Sequence, residues 1–331
     1  MQYRQLGTSD VAVTPVALGA WAIGGWLWGG TDDAAAMAGI RKAVDLGMTT
    51  IDTAPVYGFG HSETIVGQAI QGRRDRVQLL TKFGLRWDLD EGKRHFATHD
   101  NQGRPVTIHQ YAGPESVVEE CEQSLRRLGT DHIDLYQQHW PDPTTPVEET
   151  MEACARLLKQ GKIRAVGLSN HGPDLMDRAR AVVPLASNQP PYSMLRRGIE
   201  KDVLPYCHRN HIGLVVYSPL QNGILSGKVA MDRTFPETDL RSHSPYYRPE
   251  NRRRILEFLD AAVRPAAEAH QATIAQVVLA WTIHRPGVTA ALVGVRNPAQ
   301  AADNAGAAAF TLTAAETAAI DDALDELTLE L

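Results

Sequence analysis

Apolar positions along this chain recur in one unit: an amphipathic helical stripe, a glycine that stops it, then a short apolar run. In the first clear copy Thr31 reads as an N-cap, Met37, Ile40 and Val44 form the stripe, and Gly47 ends it ahead of Met48-Thr49-Thr50-Ile51-Asp52. In the second, Pro114 opens a helix whose stripe is Val117, Cys121, Leu125 and Leu128. Gly129 stops it, and Ile133-Asp134-Leu135-Tyr136 follows as a strand. The third starts at Thr145-Pro146, runs through Val147, Met151, Cys154 and Leu158 to Gly161, and continues as Ile163-Arg164-Ala165-Val166-Gly167. Less regular copies bring the predicted strands to eight, near Val16, Thr49, Val77, Ile133, Ile163, Ala186, Leu214 and Ala291.

Helices alternating with strands predict a parallel sheet covered on both faces, and eight units favour closure. The expected fold class is therefore α/β, a (β/α)8 TIM barrel forming a single domain over residues 1–331. A doubly wound dinucleotide fold is disfavoured, because Gly19, Gly24, Gly25, Gly29 and Gly30 do not have the G-x-G-x-x-G spacing. Residues 2–14 alternate around Gly7-Thr8-Ser9-Asp10 and predict an N-terminal β-hairpin that plugs the bottom of the barrel. Residues 84–112 and 221–250 interrupt the repeat after the third and seventh strands. They are long loops at the C-terminal face, where barrel enzymes build their sites, and so read as lids.

Composition narrows the function. A net charge of -6 with no basic run interleaved with aromatics argues against nucleic acid as a partner. No cationic-then-apolar leader and no stretch of roughly 18 apolar residues is present, so the expectation is a cytoplasmic chain without a membrane. Cys121, Cys154 and Cys207 lack metal-site or redox spacing and read as buried thiols. His95, His99 and His109 read as solvated loop residues, and no metal site is expected.

The chemistry sits at the ends of consecutive strands: Asp52 and Tyr57 after the second, Lys82 after the third, His139 after the fourth. Each alone has an ordinary structural explanation; together they form a proton-transfer set. An ammonium beside a phenol stabilises the phenolate and lowers the phenol's pKa, so Lys82 is expected to make Tyr57 more acidic. A desolvated lysine needs a carboxylate to keep its charge, which Asp52 supplies. His139 is placed to orient a carbonyl oxygen where negative charge develops.

Asp52-Thr53-Ala54-Pro55-Val56-Tyr57-Gly58, Thr81-Lys82, Asp134-Leu135-Tyr136-Gln137-Gln138-His139-Trp140-Pro141 and Gly161-Lys162-Ile163-Arg164-Ala165-Val166-Gly167-Leu168-Ser169-Asn170 resemble the aldo-keto reductases, in the family's order, from about Tyr3 to Leu327. Gly19-Ala20-Trp21-Ala22-Ile23-Gly24-Gly25, Gln189-Pro190-Pro191-Tyr192 and Gly294-Val295-Arg296-Asn297-Pro298 look most like the bacterial general stress protein branch. The resemblance implies a reversible NADPH/NADP+-dependent reduction of an aldehyde or ketone, with Tyr57 as proton donor and Lys82, Asp52 and His139 as its partners. It implies that Ser169, Asn170 and Gln189 hold the carboxamide and that Tyr217 stacks on the nicotinamide ring. Ser218, Leu220, Gly223, Gly294, Arg296, Gln300 and Asn304 are the remaining cofactor candidates. Arg296 beside a helix start favours a 2′-phosphate, although Gly294 stands where many relatives carry a lysine.

Trp21, Trp140 and Trp87 are the substrate-pocket candidates, Trp26 and Trp28 fall on the same kind of loop, and Trp281 reads as core. Two rival functions stay open at this stage. One is an NADPH-binding redox-sensing regulator with slow turnover, as in potassium-channel β subunits of similar sequence pattern. The other is a metal-dependent barrel hydrolase using Asp52 and His139. Oligomeric state and the physiological substrate are not legible.

Overall fold

The computed structural model describes residues 1–331. Its strands are β1 (Arg4–Gln5), β2 (Ala12–Val13), β3 (Val16–Gly19), β4 (Thr50–Asp52), β5 (Gln78–Phe83), β6 (Leu85–Arg86), β7 (Lys93–His99), β8 (Pro105–Gln110), β9 (Leu135–Gln138), β10 (Val166–Ser169), β11 (Leu185–Gln189), β12 (Gly213–Tyr217) and β13 (Val288–Gly294). Eight of these close a parallel barrel in the order β10-β11-β12-β13-β3-β4-β5-β9. The register Gly294↔Gly19 and Gly19↔Asp52 seals it on both sides of β3. The expected (β/α)8 architecture is present, and closure of the sheet removes the open-sheet alternative.

The helices form where the apolar stripes predicted. Pro114–Leu128 starts with proline in its first turn and ends at Gly129, whose φ of 63° is the left-handed conformation that favours glycine. Gly47 and Gly161 stop their helices in the same way, at φ 81° and 73°. Two boundaries moved. Asp32, not Thr31, caps the first helix by accepting from the Ala35 amide at 3.0 Å, since a carboxylate one residue later reaches the free N–H groups. The fourth and fifth barrel strands begin two to three residues later than Ile133 and Ile163, which pair only as an isolated bridge.

Two cores hold the barrel. The larger lies between barrel and helices and includes Trp281, stacked on Tyr192 with centroids 5.8 Å apart. The smaller fills the barrel's lower interior, where Leu6, Val11 and Val13 of the β1–β2 hairpin pack on Leu80, Leu135, Ala165, Ala186 and Val215. The hairpin therefore plugs the bottom, as its alternation predicted. All three cysteines are free and buried.

The interruption at 84–112 is not a loop. β6, β8 and β7 form an antiparallel three-stranded sheet in that order, and it is fastened to the 20–30 segment. Trp26 Nε1 donates to Thr98 Oγ1 at 3.1 Å, Phe96 stacks on Trp26 at 6.1 Å, and Asn101 Nδ2 donates to the Gly24 carbonyl at 2.9 Å. Residues 221–250 are turns and short 3-10 segments that cross the opposite side of the mouth. Near the C-terminus, alanine-rich sequence forms two helices, Pro298–Gly306 and Ala314–Glu326. No helix is long and apolar enough to cross a membrane.

Candidate active site

A cavity of about 690 Å³ opens at the C-terminal ends of the barrel strands. Asp52 ends β4 and Lys82 stands near the end of β5, so parallel pairing sets them side by side. Lys82 Nζ donates to Asp52 Oδ1 at 2.5 Å, to the Thr53 carbonyl at 2.9 Å and to Tyr57 Oη at 3.1 Å. An ammonium carries three N–H donors and no acceptor, so all three are engaged. The Tyr57 oxygen is consequently the acceptor of its bond with Lys82, and its own proton is free to point at the cavity.

Asp52 is braced further. Its Oδ2 accepts from Gln189 Nε2 at 2.9 Å and Gln137 Nε2 at 3.2 Å. Gln189 thus has one end of its amide committed within the protein. Its amide nitrogen is spent on Asp52 and Gln137 Oε1, because a buried carboxylate takes the strongest donors within reach. Only its Oε1 is left to meet a carboxamide. Gln137 is a residue that reading for reactive side chains overlooked; its place two positions before His139, on the inward side of β9, was the available signal.

The electrostatics refine the expectation for Tyr57. Lys82 does pull its pKa down, but burial is the larger effect, and the phenol ends above its ordinary value rather than below it. Burial also opposes the charge on Lys82, yet Asp52 and Tyr57 outweigh it and raise the ammonium's pKa. The pair therefore rests as ammonium and protonated phenol, a poised acid. His139 is held well below the usual imidazole range by burial, then by Lys82 and His95, and is neutral. Its ring meets Tyr57 edge-on at 5.6 Å, so both border one point of the cavity.

Tyr57 is placed by a close backbone approach. A Cβ on Gly24 would lie 2.6 Å from the Tyr57 carbonyl carbon, and one on Gly58 would lie 2.2 Å from the Gly24 oxygen. Only glycine lets the 20–30 segment pack this tightly beside the tyrosine.

Along one wall, Ser169 Oγ donates to the Gln189 carbonyl at 2.8 Å and Asn170 Nδ2 donates to Ser169 Oγ at 3.1 Å. Tyr217 Oη donates to Asn170 Oδ1 at 2.9 Å, which leaves the Tyr217 ring lining the cavity. Ser218, Leu220, Gly223, Gly294, Arg296, Gln300 and Asn304 all line it as well. Two of these also have local duties: Gln300 Oε1 accepts from the Arg296 amide at 2.8 Å, and Asn304 Nδ2 donates to the Gly294 carbonyl at 3.1 Å.

At this end the 221–250 segment adds Lys228, Arg233 and Arg241, none of which the sequence singled out. Arg241 is paired with Asp239 at 2.6 Å. Arg296 has no carboxylate partner, and its guanidinium pKa is lowered by burial and then by Arg241, with Arg233 adding to the repulsion. Like charges gathered in one cavity are the electrostatic fit for a polyanion.

Trp21 and Trp140 line the cavity on the side of Tyr57 and His139, Trp26 joins them, and Trp28 lies between the two ends, edge-on to Trp21 at 5.3 Å and beneath the Arg241 guanidinium at 5.3 Å. Trp87 does not line the cavity. It packs edge-on against Phe59 at 5.5 Å behind the cavity wall, because β6 turns it away from the mouth. The histidines of the insertion also differ from expectation: His95 lines the cavity and His109 is buried, while only His99 is exposed. Folding of the segment into a sheet with an irregular register is the cause: His95 is the unpaired residue between Arg94 and Phe96, and both it and Phe96 turn toward the cavity. As for the hydrolase rival, an ammonium 2.5 Å from the Asp52 carboxylate opposes a cation there.

Comparison with known proteins agrees with this geometry. The model of the Aldo/keto reductase family matches residues 15–325. This chain belongs to the aldo-keto reductases. It is 41% identical over 302 residues to aldo-keto reductase YhdN of Bacillus subtilis (strain 168), covering 91% of this chain and 86% of that one. It is 34% identical to the NADH-specific methylglyoxal reductase of Escherichia coli (strain K12), with 94% of each chain covered. Among solved structures, the glycerol dehydrogenase AKR11B4 from Gluconobacter oxydans superposes with a TM-score of 0.87 at 39% identity, covering 98% of this chain and 95% of the other. As a member of this family, the protein is an oxidoreductase that reduces carbonyls with a nicotinamide cofactor. The amide wall, the Tyr217 ring and the arginine-lined end fit such a cofactor's carboxamide, ring and phosphates.

Proposed function

We propose that residues 1–331 work as one barrel unit that reduces an aldehyde or ketone to the alcohol, reversibly, with Tyr57 as proton donor and with NADPH preferred over NADH. The observation that carries the first part is the donor count at Lys82: with three acceptors engaged, the Tyr57 oxygen receives a hydrogen bond and its own proton is left free for a group in the cavity. The cofactor, when bound, supplies a hydride to the carbonyl carbon. Tyr57 and the neutral His139 hold the carbonyl oxygen between a phenol and an imidazole, where they stabilise the charge that develops. Tyr57 gives its proton to that oxygen while Lys82 stabilises the phenolate left behind, and Asp52 with Gln137 and Gln189 fixes the ammonium.

Preference for NADPH is supported by Arg296, Arg241 and Arg233 at one end of the cavity, where a 2′-phosphate would relieve their mutual repulsion. That one relative is named NADH-specific makes this the part to test directly. Steady-state kinetics with each cofactor should give kcat/KM for NADPH at least about tenfold above that for NADH. Equal values would overturn the preference and leave the reaction class standing. Stopped-flow hydride transfer at a rate matching turnover would distinguish an enzyme from a slow, cofactor-holding regulator.

A further inference from the structure

The wall that faces Tyr57 and His139 is built of Trp21, Trp26, Leu85, Phe96 and Trp140, apolar except for the indole N–H groups, of which that of Trp21 is buried without a partner. His95 interrupts it. This residue lies on β7, and its ring packs between Phe96, at 5.0 Å, and Trp140, at 5.4 Å. Trp140 is the neighbour of His139 in the chain, so His95 stands one aromatic ring away from the site of carbonyl binding. Neither of its ring nitrogens is hydrogen-bonded within the protein, in contrast to the nearby indole of Trp26, which is tied to Thr98. Burial and Lys93 lower its pKa, so at neutral pH the ring is uncharged and offers one donor and one acceptor.

A neutral imidazole with free nitrogens, in a wall whose other free polar groups are donor-only indoles, is a recognition element. A second oxygen on the substrate can bond to it, whereas an alkyl group in that position leaves its polar atoms unmatched. We propose that His95 is a specificity-determining residue that binds a hydroxyl or second carbonyl on the carbons next to the reacting carbonyl, so that oxygen-bearing short aldehydes and ketones are favoured over their alkyl counterparts. This inference rests on the carbonyl-reductase reading of the same cavity. The insertion that looked like a lid would then contribute selectivity, through a strand that holds His95 at a fixed height.

The test compares glyceraldehyde with 2-methylbutanal, in which a methyl replaces each hydroxyl, on the full-length wild-type protein and on His95→Phe and His95→Gln. The ratio of variant to wild-type kcat/KM is read for each substrate, so that hydration of glyceraldehyde cancels. His95→Phe should lower the glyceraldehyde value about tenfold while changing the 2-methylbutanal value by less than about twofold, and His95→Gln should recover part of the loss. NADPH affinity, read by tryptophan fluorescence, should not change. An equal fall for both aldehydes, or no fall for either, would overturn the role of His95 while leaving the reductase intact. A wild-type protein that reduces neither aldehyde nor any other carbonyl would instead remove the parent reading, and this one with it.

Discussion

The two ends of the cavity solve opposite electrostatic problems. At the end formed by β4, β5 and β9, a fully buried ammonium is matched atom for atom by a carboxylate, a carbonyl and a phenol. At the end formed by β13 and the 221–250 segment, Arg296 and Arg233 share space with Arg241, and only the last is paired with a carboxylate. The first end is complete in the protein alone; the second is complementary to an anion from outside. The difference separates chemistry, which needs pre-organised groups, from cofactor capture, which gains from unspent charge.

The largest expected effect probes the matched end. Tyr57→Phe keeps the ring and its packing but removes the proton, and should lower carbonyl reduction by about 10²-fold or more, with cofactor affinity retained in a fluorescence titration. Reduction at the parent rate would break the assignment. Lys82→Met should be comparably inactive and also less stable, because it leaves Asp52 buried without its ammonium, at a cost of about 3–5 kcal/mol measurable by urea unfolding. That double effect is peculiar to the matched end.

At the other end, Arg296→Ala should raise KM for NADPH about tenfold, with little change for NADH and no loss of stability. If both cofactors weaken equally, the arginine serves the diphosphate common to both and the contrast between the ends has to be redrawn. A smaller effect is expected from Gly24→Ala. The added Cβ meets the Tyr57 backbone, so the 20–30 segment must retreat, costing about 1–3 kcal/mol of stability and shifting kcat more than KM for cofactor.

The smallest expected response is to pH. Tyr57 and Lys82 both have raised pKa values, so the protonated phenol and the ammonium persist until pH rises above their ordinary range near 10. His139, lowered, stays neutral through the same interval. Reductive kcat/KM should therefore be flat from about pH 6 to 9 and fall only beyond it, while alcohol oxidation, which needs Tyr57 as base, should climb with pH. A reductive limb with a midpoint near pH 7 would assign the proton to another group.

Much of this was readable in one dimension. The stripes ending at Gly47, Gly129 and Gly161 gave helix limits, because a helix stop is a local matter of one left-handed residue. Asp52, Tyr57, Lys82 and His139 were legible because a parallel barrel puts every strand end on one rim, so position along the repeat implies proximity. Trp87 and His95 were misjudged for a shared reason. Both lie in the insertion, where Trp87 follows β6 onto Phe59 and His95 sits at the irregularity of the β7–β8 pairing between Arg94 and Phe96, and strand register has no counterpart in a periodicity only a few residues long.

The amino-acid sequence by itself therefore determined the barrel, its bottom plug and which titratable side chains meet at the mouth, since these follow from periodicity and chain order. Only the tertiary structure decided which acceptor each Lys82 proton found, that burial outweighs Lys82 at the Tyr57 phenol, that Gln189 turns toward Asp52, and that His95 rather than Trp87 reaches the cavity. Those outcomes depend on distances of a few ångströms between residues far apart in the chain, and on the dielectric they share once water has been excluded.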